Sequence, residues 1–311
     1  MSDRSKVVRV FAPATVANLG PGFDVLGLAV EGIGDVVTAR LAGTGGVTIA
    51  AIEGDAGALT RDPRANTAGI AAIETLKRAG VDASIELFIE KGMPLGSGLG
   101  SSAASAAAAA MAVNLLVGSP LRKTDLVGPC VEAEAVVSGR HADNVAPSML
   151  GGLILVRSVD PLDLVRLPVP LGLTVVVVTP DFEVPTREAR AALPSDVPLS
   201  RLVEQTANVA AIVSACYSGN LALLGRSVRD EVVTPARTAL IPGGAQVIEA
   251  ALDAGAVASS ISGAGPSIFA LCRSVRSAKK TAEAMSCAFE TAGLGSVTLT
   301  SPADCPGARR I

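Results

Sequence analysis

The feature that most constrains this chain is Met93-Pro-Leu-Gly-Ser-Gly-Leu-Gly-Ser-Ser-Ala-Ala104, where three glycines and three serines run straight into an alanine-rich segment. Gly96, Gly98 and Gly100 can adopt positive φ and let the backbone approach a ligand with no Cβ atoms in the way. From Ser101 to about Leu116 the residues are nearly all Ala, Met, Leu and Val without a proline, which predicts a helix capped by Ser101 or Ser102. A helix N-terminus presents unpaired N–H groups and about half a positive charge, so it favours anions. The stretch therefore reads as a phosphate cradle. Its glycines alternate as Gly-x-Gly-x-Gly and no Gly-Lys-Ser/Thr follows, which sets aside the Walker loop and the dinucleotide fingerprint. A plain turn into a packed core helix would need no ligand, and the loop alone does not separate the two readings.

Composition narrows the rest. At 311 residues, 49% of them hydrophobic, the chain has material for two domains of ordinary size. No apolar run reaches the roughly 18 residues that span a bilayer. The charged start Met1-Ser-Asp-Arg-Ser-Lys6 leads into a strand-like segment, so no signal peptide and no membrane partner are expected. A net charge of -3 with 2% aromatic residues gives neither a phosphate-backbone stripe nor base-stacking platforms, which argues against nucleic acid. Five cysteines, scattered without a C-x-x-C pair, predict reduced thiols and a cytoplasmic location. His141 is the only histidine, so a His-rich metal site is excluded.

Along the first half, Val7 to Ala12 reads as a strand running into a loop, Pro13-Ala-Thr-Val-Ala-Asn18-Leu-Gly-Pro-Gly-Phe-Asp24. Its turn formers could bring Asn18 and Asp24 to one pocket, or both side chains could bond only their own backbone in an Asx-type turn. Strands are predicted at Asp35–Leu41, Val47–Ile52 and Ser84–Glu90, with a helix from Asn66 to Ala79 capped by Asn66 and closed by Gly80. A second helix is predicted from Thr124 to Ser138, carrying Glu132 and Glu134. A loop with His141, Asp143 and Asn144 follows, then a strand at Leu153–Arg157. The mixed order of strands and helices indicates an α+β fold.

Prolines cluster between Asp160 and Pro170 and suggest a boundary, with domains at 1–165 and 166–311. Beyond it, strands are predicted at Thr174–Thr179, Val257–Ile261, Ser267–Cys272 and Val297–Thr300. Helices are predicted at Leu199–Ser218, Leu221–Val233, Gly244–Asp253 and Ser277–Ala292, together a split βαβ sandwich. Arg187, Arg190 and Arg237 lie near helix boundaries, and arginine suits forked binding of carboxylate or phosphate. Ser260-Ile-Ser-Gly-Ala-Gly-Pro-Ser267 is a second glycine loop, which as a hairpin turn needs no ligand.

Three of these stretches, in order, resemble the motifs of the GHMP kinases: Pro13 to Asp24, Pro94 to Ala104, and Ile261 to Ser267. Within that superfamily, Asn18–Asp24, His141–Pro147 and Asp230–Arg237 are similar to the branch that phosphorylates homoserine. The resemblance implies a two-domain fold: an N-terminal ribosomal protein S5 domain 2-like domain, a C-terminal ferredoxin-like sandwich and an active site in the cleft between them. It implies ATP and L-homoserine as substrates and Mg²⁺ as cofactor. It also brings a homodimer into consideration, because members of the family often form one.

By the same resemblance Asn18, Asp24, His141, Asp143, Arg190 and Arg237 line the acceptor pocket. Their types suit an amino-acid zwitterion, which needs carboxylates near its ammonium and arginines near its carboxylate. Pro94, Leu95, Gly96, Ser97, Gly98, Leu99, Gly100, Ser101 and Ser102, with Asn66 and Lys91, fall where the family contacts nucleotide. Ser101 and Glu134 match its metal ligands. Glu132 competes with Glu134, but two positions apart on a helix they point to different faces. Asn144 and Arg237 are the catalytic candidates; a neutral amide accepts no proton and can only position the hydroxyl or stabilise charge. The rival readings are another small-molecule kinase of the superfamily, such as one acting on mevalonate, and a regulator that binds nucleotide or amino acid without turnover.

Overall fold

A computed structural model describes residues 6–137 and 139–311, so the charged start at residues 1–5 and Ser138, the expected end of a helix, lie outside the described residues. Strand β1 (Val7–Ala17) pairs antiparallel with β2 (Leu26–Leu41) along its whole length, with a bulge between Pro13 and Ala14. Pro13 to Ala17 is therefore strand where a loop was expected. A bulge tolerates a proline, which has no N–H to give the ladder, and Ala14 to Ala17 are all buried. Strand β3 (Val47–Glu53), helix α1 (Thr67–Ala79) and strand β4 (Ile85–Glu90) form a parallel crossover unit, and β4 pairs antiparallel with β2. As the sequence predicts, Asn66 caps α1 and Gly80 ends it in the left-handed conformation.

Helix α2 (Ser101–Leu116) follows the glycine loop, and its alanines from Ala103 to Ala110 are buried on every side. Such a helix is apolar all round because it lies within the core. Its N-cap is Gly100, with no side-chain cap, so neither Ser101 nor Ser102 plays that part. A short 3₁₀ turn at Lys123–Leu126 precedes α3 (Val127–Val137); the helix proper starts later than Thr124 because Pro129 fits its first turn. Helix α4 (Val145–Leu150) was not expected, and it leads into the hairpin of β5 (Leu153–Val159) and β6 (Leu162–Leu167).

The second sheet is built from β7 (Thr174–Pro180), β8 (Ala258–Ile261), β9 (Ile268–Cys272) and β10 (Ser296–Pro302). Its order β10-β7-β9-β8, antiparallel throughout, is the ferredoxin-like arrangement. Between β7 and β8 run α5 (Thr186–Ala191), α6 (Leu199–Ser218), α7 (Leu221–Ser227), α8 (Val233–Thr238) and α9 (Gly244–Asp253); α10 (Val275–Thr291) joins β9 to β10. The helix expected from Leu221 to Val233 is broken because the Asp230 carboxylate accepts hydrogen bonds from the amides of Val232 and Val233 and starts a new helix. The chain's last strand, β11 (Arg309–Arg310), returns to the first sheet and pairs with β1. Strand β7 alternates between two cores. Val175 and Val177 join the main cluster with the first sheet, while Val176 and Val178 pack with Val247, Met285 and Phe289.

Candidate active site

The two sheets meet where the two glycine loops touch. Gly96, Gly98 and Gly100 all lie in the left-handed region, at φ 65°, 76° and 68°. A Cβ on Gly98 would sit 2.5 Å from the Gly265 carbonyl oxygen and 2.6 Å from that of Ser262; on Gly100 it would collide with Thr15 Oγ1 and Asn144 Oδ1. Neither position has room for a side chain. Ser262 Oγ donates to the Gly98 carbonyl at 2.7 Å, and the Ser267 amide donates to the Ser97 carbonyl at 3.2 Å. The second glycine loop is thus a hairpin turn between β8 and β9, as its place between two strands predicts, and it also braces the first.

Beside the glycine loop opens a cleft of about 270 Å³, into which most of the expected site residues converge. Leu95, Gly96, Ser97, Gly98, Gly100, Ser101 and Ser102 form one wall; Asn18, Asp24, Glu134, His141, Asp143, Asn144, Arg190 and Arg237 form the others. Pro94 and Leu99 face a neighbouring apolar cavity with Ile33, Phe182 and Leu299. Asn66 and Lys91 do not line the cleft. The Asn66 side chain accepts from the Ala68 amide at 3.0 Å and donates to the Thr60 carbonyl at 2.9 Å. Lys91 turns beneath α2, where its ammonium is ion-paired with Asp35 and donates to the Ser101 carbonyl at 2.9 Å and Ser105 Oγ at 2.7 Å. Burial lowers the pKa of this lysine against the opposing pull of Asp35.

Ser101 Oγ is buried without a hydrogen-bond partner among the described residues, and Glu134, only 2% exposed, lines the same cleft. Glu132 is outside it, paired with Arg140 at 2.8 Å on the surface. The helix geometry therefore separates the two glutamates as expected.

At the other end of the cleft, Asn18 at φ 74° and Asp24 at φ 58° bend the chain after β1. Asn18 Oδ1 accepts from the Asp24 amide at 3.2 Å and its Nδ2 donates to the Gly263 carbonyl at 3.1 Å, so this side chain ties the turn to the second glycine loop instead of bonding only its own backbone. The simple turn reading does not hold for Asp24 either, whose carboxylate faces Arg190 at 3.4 Å. Arg237 is buried, donating to the Gly263 carbonyl at 2.7 Å and the Ala189 carbonyl at 3.2 Å. Burial, with the nearby Arg190 charge, lowers its pKa. Arg187 is exposed and outside the lining. His141 Nδ1 is 3.2 Å from Asp143 Oδ1. Burial alone would lower the imidazole pKa, but the hydrogen bond and charge of Asp143, with Asp24 and Glu134, outweigh it and raise it to about 8.

Three residues went unremarked in the sequence. The Phe23 ring lies under both guanidiniums, 5.6 Å from Arg190 and 5.2 Å from Arg237. An aromatic residue between Pro21-Gly22 and Asp24 in a chain with few aromatics was the available signal. Gly27 lets β2 pass against the Asp143 carbonyl, where any Cβ would overlap it. Thr15 is wholly buried and donates from Oγ1 to Asn144 Oδ1 at 2.7 Å.

Known proteins share this arrangement in sequence as well as in fold. Residues 66–152 match the profile of the GHMP kinases N terminal domain, and residues 212–291 match that of the GHMP kinases C terminal domain. A homoserine kinase of Arabidopsis thaliana is 48% identical over 98% of this chain and 84% of its own length. This chain belongs to the homoserine kinase family of GHMP kinases. A second family member, the homoserine kinase of Chlorobium phaeobacteroides, is 45% identical over 92% of this chain and 93% of its own. The crystal structure of homoserine kinase from Cytophaga hutchinsonii superposes with a TM-score of 0.96 at 46% identity, covering 100% of this chain and 99% of that one. Among the described residues, no helix is long and apolar enough to cross a membrane.

Proposed function

We propose that this chain transfers the γ-phosphoryl group of ATP to the side-chain hydroxyl of L-homoserine, giving O-phospho-L-homoserine on the route to threonine. The observation that carries the reading is one cleft that joins a helix-N-terminal anion cradle to a pocket with two carboxylates and two guanidiniums. The amides at the start of α2 grip the phosphates. Asp24 and Asp143 take the substrate ammonium, and Arg190 and Arg237 its carboxylate. His141, held largely protonated near neutrality, serves as a donor and not as a base. Asn144 and Arg237 stabilise charge and alignment at the reacting end, which suits phosphoryl transfer, where positioning and electrostatics do most of the work.

The buried, unpartnered Ser101 hydroxyl and the buried Glu134 carboxylate fit an oxygen-ligated cation beside the phosphates. These two residues would hold Mg²⁺, which neutralises phosphate charge when bound. We also place the chain in the cytoplasm, a reading supported by its free cysteine thiols, and keep a homodimer as its assembly. We keep two domains but move the boundary just past β6, because a cut at 165/166 would fall inside a strand paired with β5, and β11 at the end of the chain adds to the first sheet. The test is ADP release with ATP and Mg²⁺ across homoserine, mevalonate, threonine and serine. Homoserine is expected to give the highest kcat/KM; phosphorylation of mevalonate with none of homoserine would reverse the assignment.

A further inference from the structure

Thr15 joins the two halves of the cleft. Its backbone amide donates to the Leu99 carbonyl at 3.0 Å, next to the glycine that starts α2. Its side-chain hydroxyl donates to Asn144 Oδ1 at 2.7 Å, and the missing Cβ of Gly100 leaves the space that this bond occupies. Thr15 is wholly buried, so the hydroxyl has no water to turn to. An amide side chain has one accepting end and one donating end. With Oδ1 held by Thr15, the donating Nδ2 end is the one left for the cleft. The opposite orientation would aim a carbonyl oxygen toward the anion cradle at the helix N-terminus and would be repelled by a bound phosphate.

We infer that Thr15 is a positioning residue that fixes Asn144 with its amide NH₂ facing the transferred phosphoryl group. Asn144 then works only as a hydrogen-bond donor to developing negative charge. The strand-borne hydroxyl keeps it in register with the glycine loop, because the same residue bonds the loop through its backbone. This inference rests on the reading of the cleft as a kinase site with Asn144 at the reacting end. It adds a residue which that reading does not use.

The test compares Thr15→Val, Thr15→Ser, Asn144→Ala and the Thr15→Val/Asn144→Ala double variant in steady-state phosphorylation of homoserine, with nucleotide affinity measured separately. Thr15→Val removes the donor at nearly constant volume. It is expected to lower kcat roughly ten- to thirtyfold, as loss of one orienting hydrogen bond does, while leaving the KM for ATP within about threefold. Thr15→Ser, which keeps the hydroxyl, is expected to restore kcat to within about threefold of the parent. In the Asn144→Ala background, Thr15→Val should lower kcat no further. If Thr15→Val fails to fold, Thr15→Cys, with its weak donor, carries the same comparison. An unchanged kcat in Thr15→Val, or the same fold loss with and without Asn144, would overturn the inference while leaving the kinase reading intact. Full turnover in Asn144→Ala would instead remove the role of Asn144 on which it stands.

Discussion

Replacing Asp24 by asparagine tests how the cleft chooses its acceptor. The Asp24 carboxylate is 3.4 Å from the Arg190 guanidinium, with side chains 33% and 41% exposed, so the two charges pair with each other. An exposed pair of this kind is worth under about 1 kcal/mol. An ammonium seated on a carboxylate makes a charge-assisted hydrogen bond worth about 1.5–3 kcal/mol. A zwitterion can replace both partners at once, giving its ammonium to Asp24 and its carboxylate to Arg190. An acid without an amine can replace only one and leaves Asp24 facing no cation. In the proposed pocket Asp143 shares the ammonium, so Asp24→Asn is expected to raise the KM for homoserine about ten- to thirtyfold, the lower part of that energy range. The KM for 4-hydroxybutyrate, the same chain without the amine, should stay level or fall, since Arg190 is released to its carboxylate. ADP release titrated with each acceptor reads both constants. An unchanged KM for homoserine, or equal rises for the two acceptors, would refute this account of selectivity.

Other consequences follow from the same geometry. Glu134→Gln is expected to lower turnover by at least about a hundredfold, the scale on which electrostatic stabilisation acts, whereas Glu132→Gln, which loses only the surface pair with Arg140, should keep near-parent kcat; equal losses would count against Glu134 as the metal ligand. Gly98→Ala forces a Cβ to 2.5 Å from the Gly265 carbonyl oxygen at φ 76°, so thermal unfolding should show a loss of roughly 1–3 kcal/mol, with a raised KM for ATP. His141, raised from 6.5 to about 8, should stabilise the fold by about 2 kcal/mol. Its folded pKa lies above the unfolded one, so this contribution is full below pH 6.5 and is lost as pH rises through about 8. The stability gap between the parent and His141→Gln in urea titrations should therefore be about 2 kcal/mol more in the parent's favour at pH 6 than at pH 9; an equal gap at both would contradict this.

Where local chemistry governs, the sequence was a sufficient guide. Asn66 and Gly80 bracket α1 because a cap and a left-handed stop are written into single residues. Helices α6 and α9 run over the expected residues, and the glycine loop leads into α2 as expected. Long-range pairing was not visible. Pro13 to Ala17 is strand because β2 lies alongside it, and Arg309–Arg310 is strand because β1 has a free edge there. The site divides in the same way. The family resemblance grouped Asp24, Asp143, Arg190 and Arg237, whose types suit one ligand, and helical spacing separated Glu134 from Glu132. Motif position alone put Lys91 at the nucleotide, but its ammonium is held by Asp35 in the core, a partner far away in sequence. Thr15 and Phe23 act through contacts that no spacing rule reveals, a hydroxyl to Asn144 and a ring beneath two arginines.

The most direct test of the central claim is the identity of the product. ³¹P NMR of the chain incubated with ATP, Mg²⁺ and L-homoserine is predicted to show a new phosphomonoester signal, coupled to the side-chain methylene of homoserine and formed in step with ADP. Only inorganic phosphate, or an ester formed from mevalonate and none from homoserine, would contradict it.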